Sequence, residues 1–273
     1  MATLDSQNQT FSYWDYLFKD LADPRSSEWP LLADPIPVLS IFAVYLLFVL
    51  KWGPNYMKDR KPYNLKKILL VYNIFQVIAS TYIFYEAIDA AWRHYNWTCQ
   101  PVDYSRSPRA MRVARGVYLY FLSKITELLD TVFFVLRKND RQITFLHIYH
   151  HCGMMLISWG TAKYIPGGHG TFVGLINCFV HIIMYSYYLL AALGPKVQKY
   201  LWWKKYITTM QMAQFCMIFL HNAQLLFYDC GFPKWTLLFT LPNSIFFYHL
   251  FNDFYKKAYN NNQDAGKNKV KAK

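Results

Sequence analysis

The 273-residue sequence is short of acidic residues, with 16 Asp and Glu against 29 Lys and Arg, and it has only five Cys. The cysteines, at 99, 152, 178, 216 and 230, form neither a dense disulfide framework nor a Cys-x-x-Cys metal pattern. The net charge of +13 carries no recognisable nucleic-acid module: its basic residues fall in short clusters between apolar stretches and near the C-terminus, so no nucleic acid partner is expected. The first thirty residues lack the apolar core of a cleavable signal peptide, which leaves targeting to the first apolar span.

What the chain has in excess is apolar and aromatic surface. Hydrophobic residues make up 54% and aromatic residues 19%, more than an ordinary globular surface can cover. Mean hydropathy is only +0.05, so the charges must be gathered between apolar stretches, as in a multi-span membrane protein. Seven stretches have the roughly 20 apolar residues a span needs: 35–52, 68–90, 113–136, 143–162, 170–193, 205–228 and 235–255. The expected fold is an all-α integral membrane protein with seven transmembrane helices. The expected organisation is a lumenal N-terminal segment at 1–34, a seven-helix membrane domain at 35–255, and a basic, compositionally disordered cytoplasmic tail at 256–273.

Loop charge gives the orientation. Segments 51–67, 137–141, 196–205 and 256–273 carry nineteen Lys and Arg, while the alternate segments carry nine. Positive-inside bias therefore makes the first set cytoplasmic and the N-terminus lumenal. The sequons Asn8-Gln9-Thr10 and Asn96-Trp97-Thr98 both fall on that lumenal side. Lys269 and Lys271, five and three places from the end, resemble a dilysine retrieval signal, which implies the endoplasmic reticulum.

Ionisable groups inside a span cost at least about 2.5–3.5 kcal/mol each and normally face a cavity or the bundle interior. Here they cluster. Lys124, Glu127, Asp130 and Thr131 share one face of the third stretch, and His147, His150 and His151 span an arc of about 100° on the fourth. Asn177, His181, Tyr185 and Tyr188 form a stripe on the fifth, and Thr208, Gln211 and Gln214 lie on the sixth. Helix rise places much of this set at one cytoplasm-facing depth. Lys124 with Glu127 can also be read as a packing ion pair, and Gln211 with Gln214 as interhelical hydrogen-bonding residues. Three imidazoles within five residues are harder to explain as packing. His221 and His249 stand apart and read as core histidines.

At these residues the chain resembles the very-long-chain fatty acid elongase family throughout its membrane region. The family's Lys-x-x-Glu-x-x-Asp-Thr, His-x-x-His-His, Asn-x-x-x-His-x-x-Met-Tyr-x-Tyr-Tyr and Thr-x-x-Gln-x-x-Gln boxes match in order at 124–131, 147–151, 177–188 and 208–214. The stretch from His147 through Trp235 looks closest to the very-long-chain branch. The resemblance implies condensation of acyl-CoA with malonyl-CoA to a 3-oxoacyl-CoA, with release of CO2 and CoA and without metal or cofactor. It also implies a barrel of spans two to seven around an acyl tunnel, with the first span outside. The reductases and dehydratase of the elongation cycle would be partners, alongside membrane lipids; the oligomeric state, a homo-oligomer included, stays open.

The chemistry needs a nucleophile, oxyanion donors and cations for CoA phosphates. The expected nucleophile is His150, through an acyl-imidazole, with Asp130 and His147 orienting it. His151 and His181 are the neighbouring candidates, His181 for proton transfer or enolate stabilisation, and Asn177 and Tyr187 are expected to donate hydrogen bonds. Cys152 is a rival nucleophile, but lies about 140° around the helix from His147. Arg137, Lys204 and Lys205 are expected at the CoA phosphates. A membrane di-iron desaturase or hydroxylase is the alternative enzyme, although His94 and His169 should be lumenal; a seven-helix receptor or transporter is the non-enzymatic one. Cys99 and Cys230, both in lumenal loops, are the expected disulfide partners.

Overall fold

Apolar runs of this length satisfy their backbone polar groups in lipid by forming helices. The computed structural model describes residues 12–260, and all regular structure among them is helical. After a short helical segment at 13–20, the first long helix, α1, runs Pro35–Met57 with a π turn at Phe48–Trp52, and α2 runs Lys66–Trp92. The third stretch holds α3 (Pro108–Glu127) and α4 (Leu129–Leu136), separated only at Leu128. Beyond them lie α5 (Phe145–Tyr164), α6 (Thr171–Ala192), α7 (Lys204–Ala223) and α8 (Leu237–Tyr255). Each predicted stretch is thus helical. Asn8, Lys269 and Lys271 lie outside the described residues.

Helix starts follow their capping chemistry. Asp34 accepts the Ile36 amide at 2.7 Å ahead of Pro35, Ser107 accepts the Ala110 amide at 3.2 Å ahead of Pro108, and Thr144 accepts the His147 amide at 3.2 Å. Three helical segments, Pro35–Met57, Lys66–Trp92 and Gly168–Ala192, have the length and apolar composition to cross a bilayer. The protein is a multi-pass membrane protein.

The packing order places the site. α2 lies along α6, α6 along α7, α7 along α8, α8 against α5, α5 along α3, and α3 returns to α2. α1 packs on α3, α4 and α5 through Val38, Tyr45 and Val49, against Phe121, Leu128, Val135, Cys152 and Met155. Connecting segments sort into two sets. At one end the Tyr63 amide donates to Leu136 O at 3.0 Å and Lys66 Nζ to Leu193 O at 3.3 Å. At the other, Cys99 is bonded to Cys230 with Cα atoms 5.8 Å apart, and the His169 amide donates to Gln100 O at 2.8 Å. There Gly168 has φ +64°, and a Cβ on it would stand 2.9 Å from the Pro101 backbone, so only glycine lets these two loops meet.

A strap from Asp23 to Leu32 closes the same end. Buried Arg25 pairs with Asp23 at 2.7 Å and donates to Asp103 O and Ser105 O, and Ser26 Oγ donates to Ala162 O at 2.8 Å. Trp159 Nε1 donates to Leu31 O at 2.9 Å, and Lys163 Nζ to Leu32 O. Lys163, one of the nine basic residues counted on the lumenal side, is fully buried.

Candidate active site

The third stretch presents Lys124 and Glu127 one turn apart, and the fold turns both inward, where each is buried. Lys124 Nζ lies 2.6 Å from Glu127 Oε1 and donates to Asn177 Oδ1 at 2.7 Å, an oxygen that also accepts from Tyr120 OH at 3.0 Å. His181 Nδ1 lies 3.2 Å from the same Glu127 oxygen. The ammonium also stands 4.6 Å from the centre of the Tyr120 ring. Two helices thereby share one ionic knot: α3 supplies the charges, and α6 supplies Asn177 and His181. Because a buried pair is stable only when its remaining hydrogen-bonding capacity is met, Asn177 and Tyr120 are part of that pair's environment.

The histidines of α5 occupy the adjoining space. His147 Nε2 is 3.0 Å from Thr131 Oγ1, and the His147 and His151 rings are centred 4.3 Å apart. His151 meets His150 at 5.5 Å, and His150 rests edge-on against Phe247 of α8 at 5.0 Å. Asp130 accepts from Tyr185 OH at 2.7 Å, and Tyr72 packs edge-on against Tyr185 with centres 6.0 Å apart.

A largely apolar cavity runs from this cluster through the protein. His150, Tyr120, Asn177 and Gln214 line it at the histidine end, and Ile157, Val173 and Phe239 are among its apolar walls. Its far end reaches Glu86 and Arg112, where Arg112 forks onto Glu86 at 2.8 and 3.0 Å and reaches Asp89 at 2.9 Å. On α5 the lining residues extend from His150 to Thr161, about 16 Å of helix. Gln214 is buried, and its Oε1 has no partner.

The proposed residues do not all meet. Lys124, Glu127 and Asn177 form one bonded group, with His181 Nδ1 3.2 Å from Glu127 but without a hydrogen bond; Thr131 and His147 form another; His150 and His151 lie between packing partners rather than hydrogen bonds. Gln211 Nε2 reaches Met184 Sδ at 3.5 Å, and buried Thr208 does not line the cavity. Tyr187, expected among the hydrogen-bond donors, packs instead on Trp203 with ring centres 5.2 Å apart. Six residues beyond His181 it is turned about 240° around the helix, whereas Tyr188, at seven, returns to the same side and lies 5.9 Å from Tyr185. Arg137 and Lys204 are exposed and Lys205 is half-buried, all outside the cavity lining. Cys152 faces the α1 contact with Tyr45 and Val49 rather than the cavity.

Sequence reasoning missed Tyr120, Tyr72 and Tyr45. Tyr120 had a signal: it lies four residues before Lys124, on the same helical face. Tyr45 had almost none, being one hydroxyl in an apolar run; its OH lies 2.7 Å from Thr131 Oγ1. His169 and His221 sit apart at the disulfide end, and no group of three or more His, Cys, Asp or Glu among the described residues is arranged to hold a metal ion.

The comparisons with known proteins agree on one relationship. The model of the ELO, GNS1/SUR4, family matches residues 30–267. The chain is 46% identical over 271 residues to very long chain fatty acid elongase 7 of Drosophila melanogaster, covering 98% of this chain and 82% of that one. It is 43% identical over 262 residues to very long chain fatty acid elongase 4 of Mus musculus, with 95% and 82% covered. It is also 43% identical over 266 residues to very long chain fatty acid elongase 7 of Rattus norvegicus, with 96% and 94% covered. With a family match over most of its length and relatives of this identity, the chain belongs to the ELO family, that of the very long chain fatty acid elongases.

Proposed function

We propose that this protein is the condensing enzyme of fatty acid elongation, a very-long-chain 3-oxoacyl-CoA synthase working through an acyl-imidazole on His150. The observation that carries the reading is that His150, with Asn177 and Gln214, lines a long apolar cavity beside a buried Lys124–Glu127–His181 knot. An imidazole next to an apolar channel can take an acyl group whose chain lies in that channel.

In the first half-reaction a neutral His150 nitrogen attacks the thioester carbonyl of acyl-CoA; a C–N bond forms, the C–S bond breaks, and CoA leaves as a thiolate that takes up a proton. In the second, the C–C bond to the malonyl carboxylate breaks and CO2 departs. The electron pair left on the malonyl carbon attacks the acyl carbon, and imidazole is expelled. Lys124 and Tyr120 both donate to Asn177 Oδ1, which orients the amide so that its Nδ2 serves the developing enolate or oxyanion. His181, held at Glu127, shares the proton traffic. Asp130 and His147 position the centre, and Arg137, Lys204 and Lys205 meet the CoA phosphates at the channel mouth.

The closed order of helix neighbours, α2–α6–α7–α8–α5–α3, supports the six-helix barrel with α1 outside, and the two sets of connecting segments support seven spans. Loop charge supports a lumenal N-terminus and a cytosolic tail, and the resemblance of Lys269 and Lys271 to a retrieval signal supports the endoplasmic reticulum, where the remaining elongation enzymes would be partners. The test is an elongation assay with labelled malonyl-CoA and a panel of acyl-CoAs, followed by rapid-quench peptide mass spectrometry after acyl-CoA alone. Release of CO2 dependent on acyl-CoA and an acyl adduct on His150 are expected. An adduct on Cys152 or no adduct would overturn the covalent route, and no CO2 release with any chain length would overturn the activity.

A further inference from the structure

Helix α1 lies outside the order of six packed helices, yet one of its side chains reaches the histidine cluster. Tyr45 is buried, its hydroxyl is 2.7 Å from Thr131 Oγ1, and Thr131 Oγ1 is 3.0 Å from His147 Nε2. Thr131 is fully buried as well. In such a setting a phenol hydroxyl left without a partner is costly, which accounts for the pairing but not for its position next to an imidazole.

The proton count along the chain decides what the contact does. A threonine hydroxyl has one proton to give and two lone pairs to receive with. In a directed relay Tyr45 donates to Thr131 and Thr131 gives its single proton to His147 Nε2, which is then the unprotonated nitrogen, with the imidazole proton on Nδ1; a Thr131 that accepts from both neighbours would instead leave Nε2 protonated. The His147 ring packs tilted against His151 with centres 4.3 Å apart, and His151 meets His150 at 5.5 Å, so the ring plane held by this link bears on the packing of the next two histidines.

We infer that Tyr45 is a positioning residue for the condensation: through Thr131 it fixes the tautomer and ring plane of His147 and so the pose of the histidine cluster, making α1 part of the active enzyme. The inference rests on the function proposed above. Tyr45 touches no substrate, so its removal lowers kcat and leaves both KM values in place.

The experiment uses the full chain in detergent micelles, with the Cys99–Cys230 bond mapped in each variant as a check on folding. Tyr45→Phe and Thr131→Val should each lower kcat roughly five- to tenfold, the scale of one lost hydrogen bond, with KM for both CoA substrates within about twofold. Thr131→Ser should restore wild-type turnover, and Tyr45→Phe with Thr131→Val should be no slower than Thr131→Val alone. Nitrogen-15 spectra of histidine-labelled protein, with His147 assigned by His147→Gln, read the link without any turnover: Nδ1–H is expected in the wild type and a changed signal in Tyr45→Phe. A protonated Nε2 in the wild type, a folded Tyr45→Phe with unchanged kcat, or effects that multiply in the double variant would overturn it. Absence of elongation by the wild type would instead strike the functional proposal, and the spectra would still decide the link.

Discussion

Two groups of histidines lie apart in the fold, one around Glu127 and Thr131 and one at the disulfide end, and they are built on different terms. Around Glu127, His181 sits at ion-pair distance from a carboxylate that also holds Lys124, and His147 bonds to Thr131. At the disulfide end, His169 and His221 stack face to face at 4.0 Å and 15°, and His221 stacks again on Phe172 at 3.9 Å and 14°. His169 Nε2 meets only the His221 carbonyl oxygen at 3.0 Å, and neither ring joins an ion pair. The first group is arranged so that charge and protons have somewhere to go. The second uses imidazoles as flat rings in a wall of aromatic residues, with Trp92 edge-on at 5.3 Å. Burial of histidine is common to both and distinguishes nothing; the partners do.

The sharpest break of this contrast is at Glu127. Glu127→Gln leaves the Lys124 ammonium buried without its counter-ion, at a cost of about 3–5 kcal/mol. Turnover should vanish and the melting temperature should drop in a detergent thermal-shift assay. Replacing both partners together, Lys124→Met with Glu127→Leu, should recover much of the stability while turnover stays absent. Recovery of turnover as well would show the pair to be packing alone.

A smaller effect, on stability only, is expected at the other end. The bond between Cys99 and Cys230 closes 131 residues, for which the chain-entropy model gives nearly 5 kcal/mol as an upper figure. Because membrane insertion already restricts the unfolded chain, Cys99→Ser should lower the melting temperature by less than that figure implies, with kcat of the folded fraction unchanged. A reductant titration of the wild type followed by thermal shift checks the same point, and a loss of kcat ahead of unfolding would connect this end to the chemistry.

The smallest effect belongs to His221→Phe. It keeps a flat ring between His169 and Phe172 and removes two buried nitrogens that have no partner, so stability should change by no more than about 1 kcal/mol and turnover by less than twofold. Steady-state elongation and thermal shift on one preparation measure both. Abolished turnover would erase the distinction between the two histidine groups.

Much of this was legible in the residue order because it depends on one helix at a time. Apolar runs mark the helices, and Asp34, Ser107 and Thr144 mark three of their starts. The spacing of Lys124 and Glu127 puts both on one face, and the histidines of α5 mark a second polar face. Which way Tyr187 faces was not legible, because a tyrosine-rich motif does not state which ring points where; six positions from His181, it packs on Trp203. The strap of Asp23 and Arg25 was invisible for a different reason. Its value lies in carbonyl oxygens of Asp103 and Ser105, some eighty positions away, which periodicity does not couple.

By itself the sequence determined that this is a helical membrane chain with its polar groups on three or four helix faces, which follows from local spacing and composition, and its ordered boxes carry the resemblance to the elongase family. Only the tertiary structure decided which of those groups share a proton or a charge. That depends on contacts across helices, where a rotation of about 240° along one helix separates His181 at Glu127 from Tyr187 at Trp203, and where packing brings Tyr45 of an outlying helix to Thr131.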